Sequence, residues 1–590
     1  MSIPSQRIAA IASHLRPGPA PAAGHSQPAE AGTRGKQLAN RSELNPVSLL
    51  ARSERLFPAR TAFVHADNGH ARADYATFAA RVRSFASALI DTFAVAKGDR
   101  VAVLMPNNPC ILEANFAVPL CLAQLVSINT RLLAPEVEYI LTLSEAKVLL
   151  VDKDLVHLTE NYKACGVAHR IVVSDAFGLP NAPEKDEYEA LIASGLRDGV
   201  VQRGWDDFPP LESEDDVISI NFTSGTTGKP KGVMYHYRGA YLNSLCLSLE
   251  LGMNCETNYL WILPMFHASG WCFPWAVTAV GGAHTLLRRV DYTQIWDLLR
   301  HHAITHYCGA PTVQLSIANH PSATSLPKEV KTMVAAAPPS PTLLESLLRL
   351  HITPLHVYGL TETYGPSTVC AWQPEWRALA PDALAQKLAR QGHAFLACDA
   401  LRVLDAQGRD VPRDGRSVGE VVFSGNLVMK GYLNDAEATA KAFRDGVFWS
   451  GDVGVVHPDG YVELRDRQKD IIISGGENIA TIEIEQAIVA HPAVLETCVV
   501  SSPDTQWGER PVAYVTLKQP LPQGAGAEAV FEKELLLFLR TRLAGFKLPV
   551  RAHVLAELPK TSTGKIQKFV LRDREWAKAG KGDGDKKING

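Results

Sequence analysis

An apolar run, Val217 to Phe222, passes without a break into Thr223-Ser224-Gly225-Thr226-Thr227-Gly228-Lys229-Pro230-Lys231-Gly232. The run reads as a buried strand. The turn packs three Gly, four Ser/Thr and two Lys into ten residues. Small residues let backbone N–H groups approach a polyphosphate, hydroxyls add donors and ammonium groups offset its charge. A Walker A loop is excluded, because Gly228-Lys229 is followed by Pro230 and the required upstream Gly position holds Thr223. The structural alternative is an ordinary Gly/Ser turn.

At 590 residues the chain exceeds one core, so two or more domains are expected. Its 46% hydrophobic and 21% charged content fits a soluble globular protein, and a net charge of −3 gives no sign of a nucleic-acid partner. The ten Cys form no CxxC pair, which points to reduced thiols rather than a zinc site or disulfide framework. Trp271 to Leu287 is interrupted by Pro274, Gly281, Gly282 and His284, so no transmembrane helix is expected. Residues 1–40 are rich in Ala, Pro, Gly and Ser, with Ile8, Ile11, Ala12 and Leu15 on one helical face beside Arg7, His14 and Arg16. The reading adopted is a flexible tail and a cytoplasmic location. An organellar transit peptide, hence a mitochondrial location, is the alternative. The final Lys-Lys-Ile-Asn-Gly carries no Ser-Lys-Leu address.

Phe78, Val82, Phe85 and Leu89 predict an amphipathic helix over 75–90, followed by a strand at 100–105 and a turn at Pro106-Asn107-Asn108 into another helix. Strands at 146–152 and 170–174 continue the alternation, which implies α/β layering with largely parallel sheets. The acidic, Pro-containing segment 181–216 is expected on the surface, and Asp466 to Asp470 reads as a charged connector. The predicted class is α/β. A large N-terminal multi-subdomain α/β domain (45–466) precedes a small α+β C-terminal domain (467–575), with flexible tails at 1–44 and 576–590.

The loop at Thr223 resembles the phosphate loop of the adenylate-forming enzymes: acyl-CoA synthetases, luciferases and adenylation domains. Further segments match that family in order, so that the resemblance covers Asn45 to Arg572. Pro264-Met265-Phe266-His267-Ala268-Ser269-Gly270-Trp271 is similar to the motif whose His sits near the substrate carboxylate and α-phosphate. An imidazole there can donate to developing negative charge, whereas a lone His is otherwise a core residue bonded to a carbonyl. Ala335-Ala336-Ala337-Pro338-Pro339 fits the small-residue loop beside adenine. In Tyr358-Gly359-Leu360-Thr361-Glu362-Thr363-Tyr364-Gly365 the resemblance implies that Tyr358 and Gly359 contact adenine, Thr361 contacts the α-phosphate, and Glu362 ligates Mg²⁺ together with Thr226. A plain helix-start carboxylate is the alternative for Glu362.

Asp452, in Trp449-Ser450-Gly451-Asp452, matches the carboxylate that accepts the ribose hydroxyls. Arg467 matches the nucleotide-binding Arg, and Lys469 the hinge of a mobile C-terminal domain. Gly475, Gly476 and Glu477 match the face met by CoA, with a simple turn as the alternative. Lys565, in Pro559-Lys560-Thr561-Ser562-Thr563-Gly564-Lys565, matches the catalytic Lys that bridges substrate carboxylate and ATP phosphate. The small domain would thus use two faces in turn. It would present Lys565 to form acyl-AMP and pyrophosphate, then Gly475 and Gly476 so that CoA thiolate can release AMP.

The family likeness is strongest to short- and medium-chain fatty-acyl-CoA and methylthiopropionate-CoA ligases. An apolar acyl pocket of Trp271, Gly309 and Ala310 follows, with Trp271 limiting its length. Two alternatives stay open: an adenylating enzyme that serves an acceptor other than free CoA, and a nucleotide-binding protein without turnover. A homodimer is also left open.

Overall fold

A computed structural model describes residues 40–197, 200–223, 230–335, 339, 341–467, 469–475, 477–522, 526–560 and 566–578. The helix Tyr75–Asp91 forms where the periodicity places it. Asp74 Oδ1 accepts the Thr77 N–H at 2.8 Å to cap it, and Phe78, Val82, Phe85 and Leu89 are fully buried. Asn108 Oδ1 accepts the Ile111 N–H at 3.1 Å and starts Pro109–Leu120, a helix buried on every side.

That helix packs against a seven-stranded sheet. Four of its strands, Arg100–Leu104, Gln124–Ser127, Ala146–Asp152 and His169–Val173, run parallel with Val217–Phe222. Gly232–His236 and Gly431–Tyr432 complete the edge antiparallel. A nine-stranded sheet likewise has a parallel centre and antiparallel edges. It contains His306–Gly309 and Ile352–Leu360. A third, antiparallel sheet carries Val447–Val456 and Val462–Arg467. Largely parallel sheets therefore describe the first two only.

The small C-terminal domain packs the helices Thr481–Val489 and Ala527–Arg540 onto a separate sheet centred on Val494–Asp504 and Gly508–Leu517. Its own core includes Ile472, Ile484, Val499, Phe531 and Leu535. The protein is thus a large N-terminal α/β domain followed by a smaller C-terminal one.

The expectation for one segment needs correction. The segment 181–216 does not simply run over the surface: Glu187–Ser194 is a helix that buries Tyr188 and Ile192. Its Glu189 binds the buried Arg81 at 2.8 Å, and Arg81 also holds Glu113, because a buried guanidinium requires charged partners. The charged connector is tied into the fold. Asp466 is 3% exposed and accepts from the Thr481 N–H at 2.6 Å and its Oγ1 at 2.7 Å. Asp470 pairs with Arg572 at 3.0 Å. Acidic composition marks solvent only where no buried donor claims the carboxylate.

Candidate active site

The two strands around the Gly-rich loop pair with Gly232 opposite Phe222. The Thr223 N–H donates to the Lys231 carbonyl at 3.0 Å, and the Lys231 N–H to Thr223 Oγ1 at 3.4 Å. These two residues close the neck of the loop; Ser224, Gly225, Thr226, Thr227 and Gly228 lie outside the described residues. Lys231 Nζ stands 4.8 Å from the centre of the Tyr432 ring, and the Tyr432 hydroxyl donates to Glu362 Oε1 at 2.9 Å. Tyr432 therefore joins the loop neck to the Glu362 carboxylate. Sequence reasoning missed it, although Gly431-Tyr432 follows an apolar run and stands alone as an aromatic. Burial pushes Glu362 above the usual carboxylate range, against the pull of its own backbone, Tyr432 and Arg467.

Three predicted residues from distant segments meet at one carboxylate. The Tyr358 hydroxyl donates to Asp452 Oδ2 at 2.7 Å, and Arg467 Nε lies 3.3 Å from Asp452 Oδ1. Asp452 and Arg467 face each other in strand register, so the sheet itself sets their distance. Burial, then the Asp452 charge, pushes the Tyr358 hydroxyl well up, so it stays a donor. Burial works against the Arg467 charge, but Asp452 and Asp470 hold its pKa above the ordinary guanidinium value. Gly359 has no substitute: a Cβ would sit 1.9 Å from the Gly365 carbonyl oxygen. The Thr361 carbonyl accepts the Tyr235 hydroxyl at 2.6 Å, and Tyr364 stacks on Tyr235 with 4.0 Å between centres. These contacts seat the hairpin on the strand that leaves the loop. Ala336, Ala337 and Pro338 lie outside the described residues.

The backbone on either side of His267 is held by two asparagines. Asn107 Oδ1 accepts the Met265 N–H at 2.7 Å, while Asn221 Oδ1 accepts the Ser269 N–H at 2.9 Å. Between His267 and the next helix the backbone winds the wrong way. Ala268, Ser269, Gly270, Trp271 and Cys272 have φ of 49°, 50°, 57°, 56° and 65°. Such a left-handed turn costs roughly 1–2 kcal/mol for each non-glycine residue. No helix or strand pattern anticipates it. Trp271 is 5% exposed and lies against Gly365, where a Cβ would come within 2.8 Å of its Cδ1.

A cleft of about 740 Å³ brings Pro264, Gly309 and Ala310 of the large domain opposite Pro559 and Lys560 of the small one. Trp271 is not in its lining. Lys560 pairs with Ile566 in a short bridge, and the Gln567 N–H reaches the Pro559 carbonyl at 2.8 Å. A second loop neck thus opens at the cleft edge. Lys565 lies outside the described residues.

Lys469 occupies the turn between Val462–Arg467 and Ile472–Ser474. Burial, then the Arg467 charge, pulls its ammonium down to about 8. Gly475 has φ +58°, and a Cβ there would stand 2.6 Å from Trp507 Cε3. Its own domain therefore favours glycine, apart from any approach by CoA. Gly476 lies outside the described residues, and Glu477 opens the strand Glu477–Ile479.

Two layered α/β sheets, a loop rich in small residues and hydroxyls between antiparallel strands, and the Tyr358–Asp452–Arg467 cluster define an enzyme of the adenylate-forming class. The chain belongs to the AMP-binding enzyme family, whose model matches residues 50–433. The model of the AMP-binding enzyme C-terminal domain matches residues 483–565. A peroxisomal acetate/butyrate–CoA ligase of Arabidopsis thaliana is 41% identical over 556 residues, covering 91% of this chain and 95% of the relative. An acetate–CoA ligase of Humulus lupulus is 40% identical over 559 residues, covering 91% and 95%. Among solved structures, ATP-bound MatB from Rhodopseudomonas palustris superposes with a TM-score of 0.76 at 25% identity, over 90% of this chain and 99% of that one.

Proposed function

We propose that the protein is an AMP-forming acyl-CoA synthetase for short- or medium-chain carboxylic acids. The acid carboxylate attacks the α-phosphorus of ATP, giving acyl-AMP and pyrophosphate. CoA thiolate then attacks the acyl carbonyl, giving acyl-CoA and AMP. The observation that carries this reading is the meeting of Tyr358, Asp452 and Arg467 at one carboxylate. A vicinal diol can donate to the oxygens of one carboxylate, and the Tyr358 and Arg467 contacts hold that of Asp452 in one orientation. The Tyr358 hydroxyl bond fixes the plane of a ring on which adenine can stack. Arg467 pairs with Asp452 and would face the nucleotide.

Thr223 and Lys231 brace the phosphate loop, and Lys231 adds a positive charge. His267 and Thr361 donate toward the carboxylate and α-phosphate, while Lys565 offsets the charge that builds up between them. Among the described residues no group of three or more His, Cys, Asp or Glu could hold a metal ion. That suits Mg²⁺, which takes one or two protein oxygens and completes its shell from phosphates and water. Glu362 and Thr226 would hold it. When bound it neutralises phosphate charge.

Acetate and butyrate in the names of the relatives favour short acids. Among the described residues no helix is long and apolar enough to cross a membrane. A cytoplasmic location remains our proposal, with a mitochondrial one if residues 1–40 direct import. Incubation with ATP, Mg²⁺, CoA and a series of acids from two to sixteen carbons should give AMP and acyl-CoA in equal amounts. Formation of acyl-AMP with no acyl-CoA would favour a different acceptor.

A further inference from the structure

Three polar side chains sit in the core directly beneath the active site. Ser219, Asn221 and Ser269 are 0%, 1% and 0% exposed. They bond chiefly to one another. Asn221 Oδ1 accepts the Ser269 N–H at 2.9 Å and its Oγ at 3.3 Å, Asn221 Nδ2 donates to Ser219 Oγ at 3.2 Å, and the two serine oxygens lie 3.0 Å apart. A buried network of this kind is tolerated when its members satisfy each other, and it then enforces one geometry. The geometry it enforces is the left-handed turn from Ala268 to Cys272, which an unassisted chain would leave.

The position of Asn221 gives the clamp its consequence. Asn221 lies on the strand Val217–Phe222, two residues before Thr223 at the neck of the phosphate loop. One rigid strand therefore holds both the loop and the turn. The turn begins just after His267 and places Trp271 against Gly365, at the end of the hairpin that carries Tyr358 and Glu362. We propose that Asn221 is a positioning residue that sets acid selectivity, by fixing the acyl side of the site in register with the phosphate loop. Reaction demands that the acid carboxylate meet the α-phosphorus within a few tenths of an ångström, so a slack turn would be felt first by the acid.

The proposal rests on the acyl-CoA synthetase reading. Its test is made on the full chain with Asn221→Ala, Asn221→Asp and Ser269→Gly. Steady-state constants would be measured for acetate, butyrate, hexanoate and octanoate and for ATP, with thermal midpoints alongside. Asn221→Ala should raise the KM for the preferred acid at least tenfold and change the butyrate-to-octanoate ratio of kcat/KM at least fivefold. The KM for ATP should stay within about twofold. Ser269→Gly keeps the N–H that Asn221 binds and favours positive φ but deletes the Oγ bonds to Asn221 and Ser219, so a shift in the ratio smaller than that of Asn221→Ala is expected. Asn221→Asp keeps the acceptor but loses the N–H that Ser219 accepts and buries a carboxylate, so it should recover part of the profile at a lower thermal midpoint. If Asn221→Ala does not fold, Ser219→Ala is read in its place, with a smaller shift in the same ratio expected. A uniform fall in kcat with an unchanged ratio would overturn the proposal, as would an equal shift in Ser269→Gly. Wild type that forms no AMP with any acid would instead refute the synthetase reading, and the proposal with it.

Discussion

The hydroxyl of Tyr358 donates to Asp452 Oδ2 at 2.7 Å across a separation of 94 residues. This joins a hairpin of the nine-stranded sheet to a strand of the third sheet. The bond has two consequences. It orients the aromatic ring, and it occupies one oxygen of the carboxylate assigned to the ribose.

Tyr358→Phe keeps the ring but removes that bond. A hydrogen bond to a charged group is worth about 1.5–3 kcal/mol, so the KM for ATP should rise roughly 10- to 100-fold. The KM for the acid should stay unchanged, because the acyl side is held by other residues. ATP-dependence of pyrophosphate release in the variant checks this. Equal rises in both constants would mean a general loosening of the site.

Lys565→Ala should separate the two half-reactions. Loss of one bridging charge at phosphoryl transfer should cost roughly 3–5 kcal/mol, or two to four decades in adenylation. If Lys565 serves the first step alone, as the family resemblance implies, preformed acyl-AMP should still yield acyl-CoA in the variant at near wild-type rate. Pyrophosphate exchange and single-turnover thioester formation measure the two steps. An equal fall in both would show that the small domain does not present separate faces.

Acid stability should be limited by buried histidines. Burial, then Arg238, pulls His236 down to about 4, and burial does the same to His306 and His356. A base with a lowered folded-state pKa binds fewer protons than in the unfolded chain between that value and about 6.5. Stability should therefore be full above pH 6.5 and fall as pH drops toward 4. His236 Nδ1 accepts the Gly239 N–H at 2.9 Å and caps the helix Tyr237–Glu250. His236→Asn keeps a capping side chain without the titration, so its midpoint should fall less steeply over that range. Thermal melts from pH 7.5 to 4.5 would test this. Parallel curves for both proteins would remove His236 from the account.

The strands and helices around the site were legible because burial on a regular element leaves a period in the sequence. Val217–Phe222 and Tyr75–Asp91 fall within a residue of the expected limits. Asp452 and Arg467 were legible as separate motifs, but their pairing depends on strand register, which neither motif contains. The left-handed turn was not legible. Ala268-Ser269-Gly270-Trp271-Cys272 holds one glycine, and its conformation is imposed from Asn221, 48 residues before Ser269. Ser219 and Asn221 do leave a trace, as polar residues at alternate positions of an apolar strand. Tyr432 leaves less, since its role is set by Lys231 and Glu362 together.

Trp271 is where two physical readings diverge most sharply. If its indole bounds the acyl pocket, Trp271→Ala opens space that longer acids can fill. Each extra methylene buried is worth about 0.8 kcal/mol, so two should shift relative specificity roughly ten- to twentyfold toward longer chains. Short acids should lose affinity, because the enlarged cavity leaves them fewer contacts. Its 5% exposure and its contact with Gly365 fit a core residue equally well, and it does not line the cleft that holds Gly309 and Ala310. On that reading the substitution leaves a cavity and costs about 3–5 kcal/mol of stability. Activity would then fall for all acids alike. Alanine keeps the Cβ that left-handed φ disfavours, so backbone strain at 271 is nearly the same in both proteins and does not confuse the comparison. Specificity constants from acetate to decanoate, set beside thermal midpoints, separate the two. A rising long-to-short ratio with a small change in midpoint is the outcome we expect, and a flat ratio with a large drop would return Trp271 to the core.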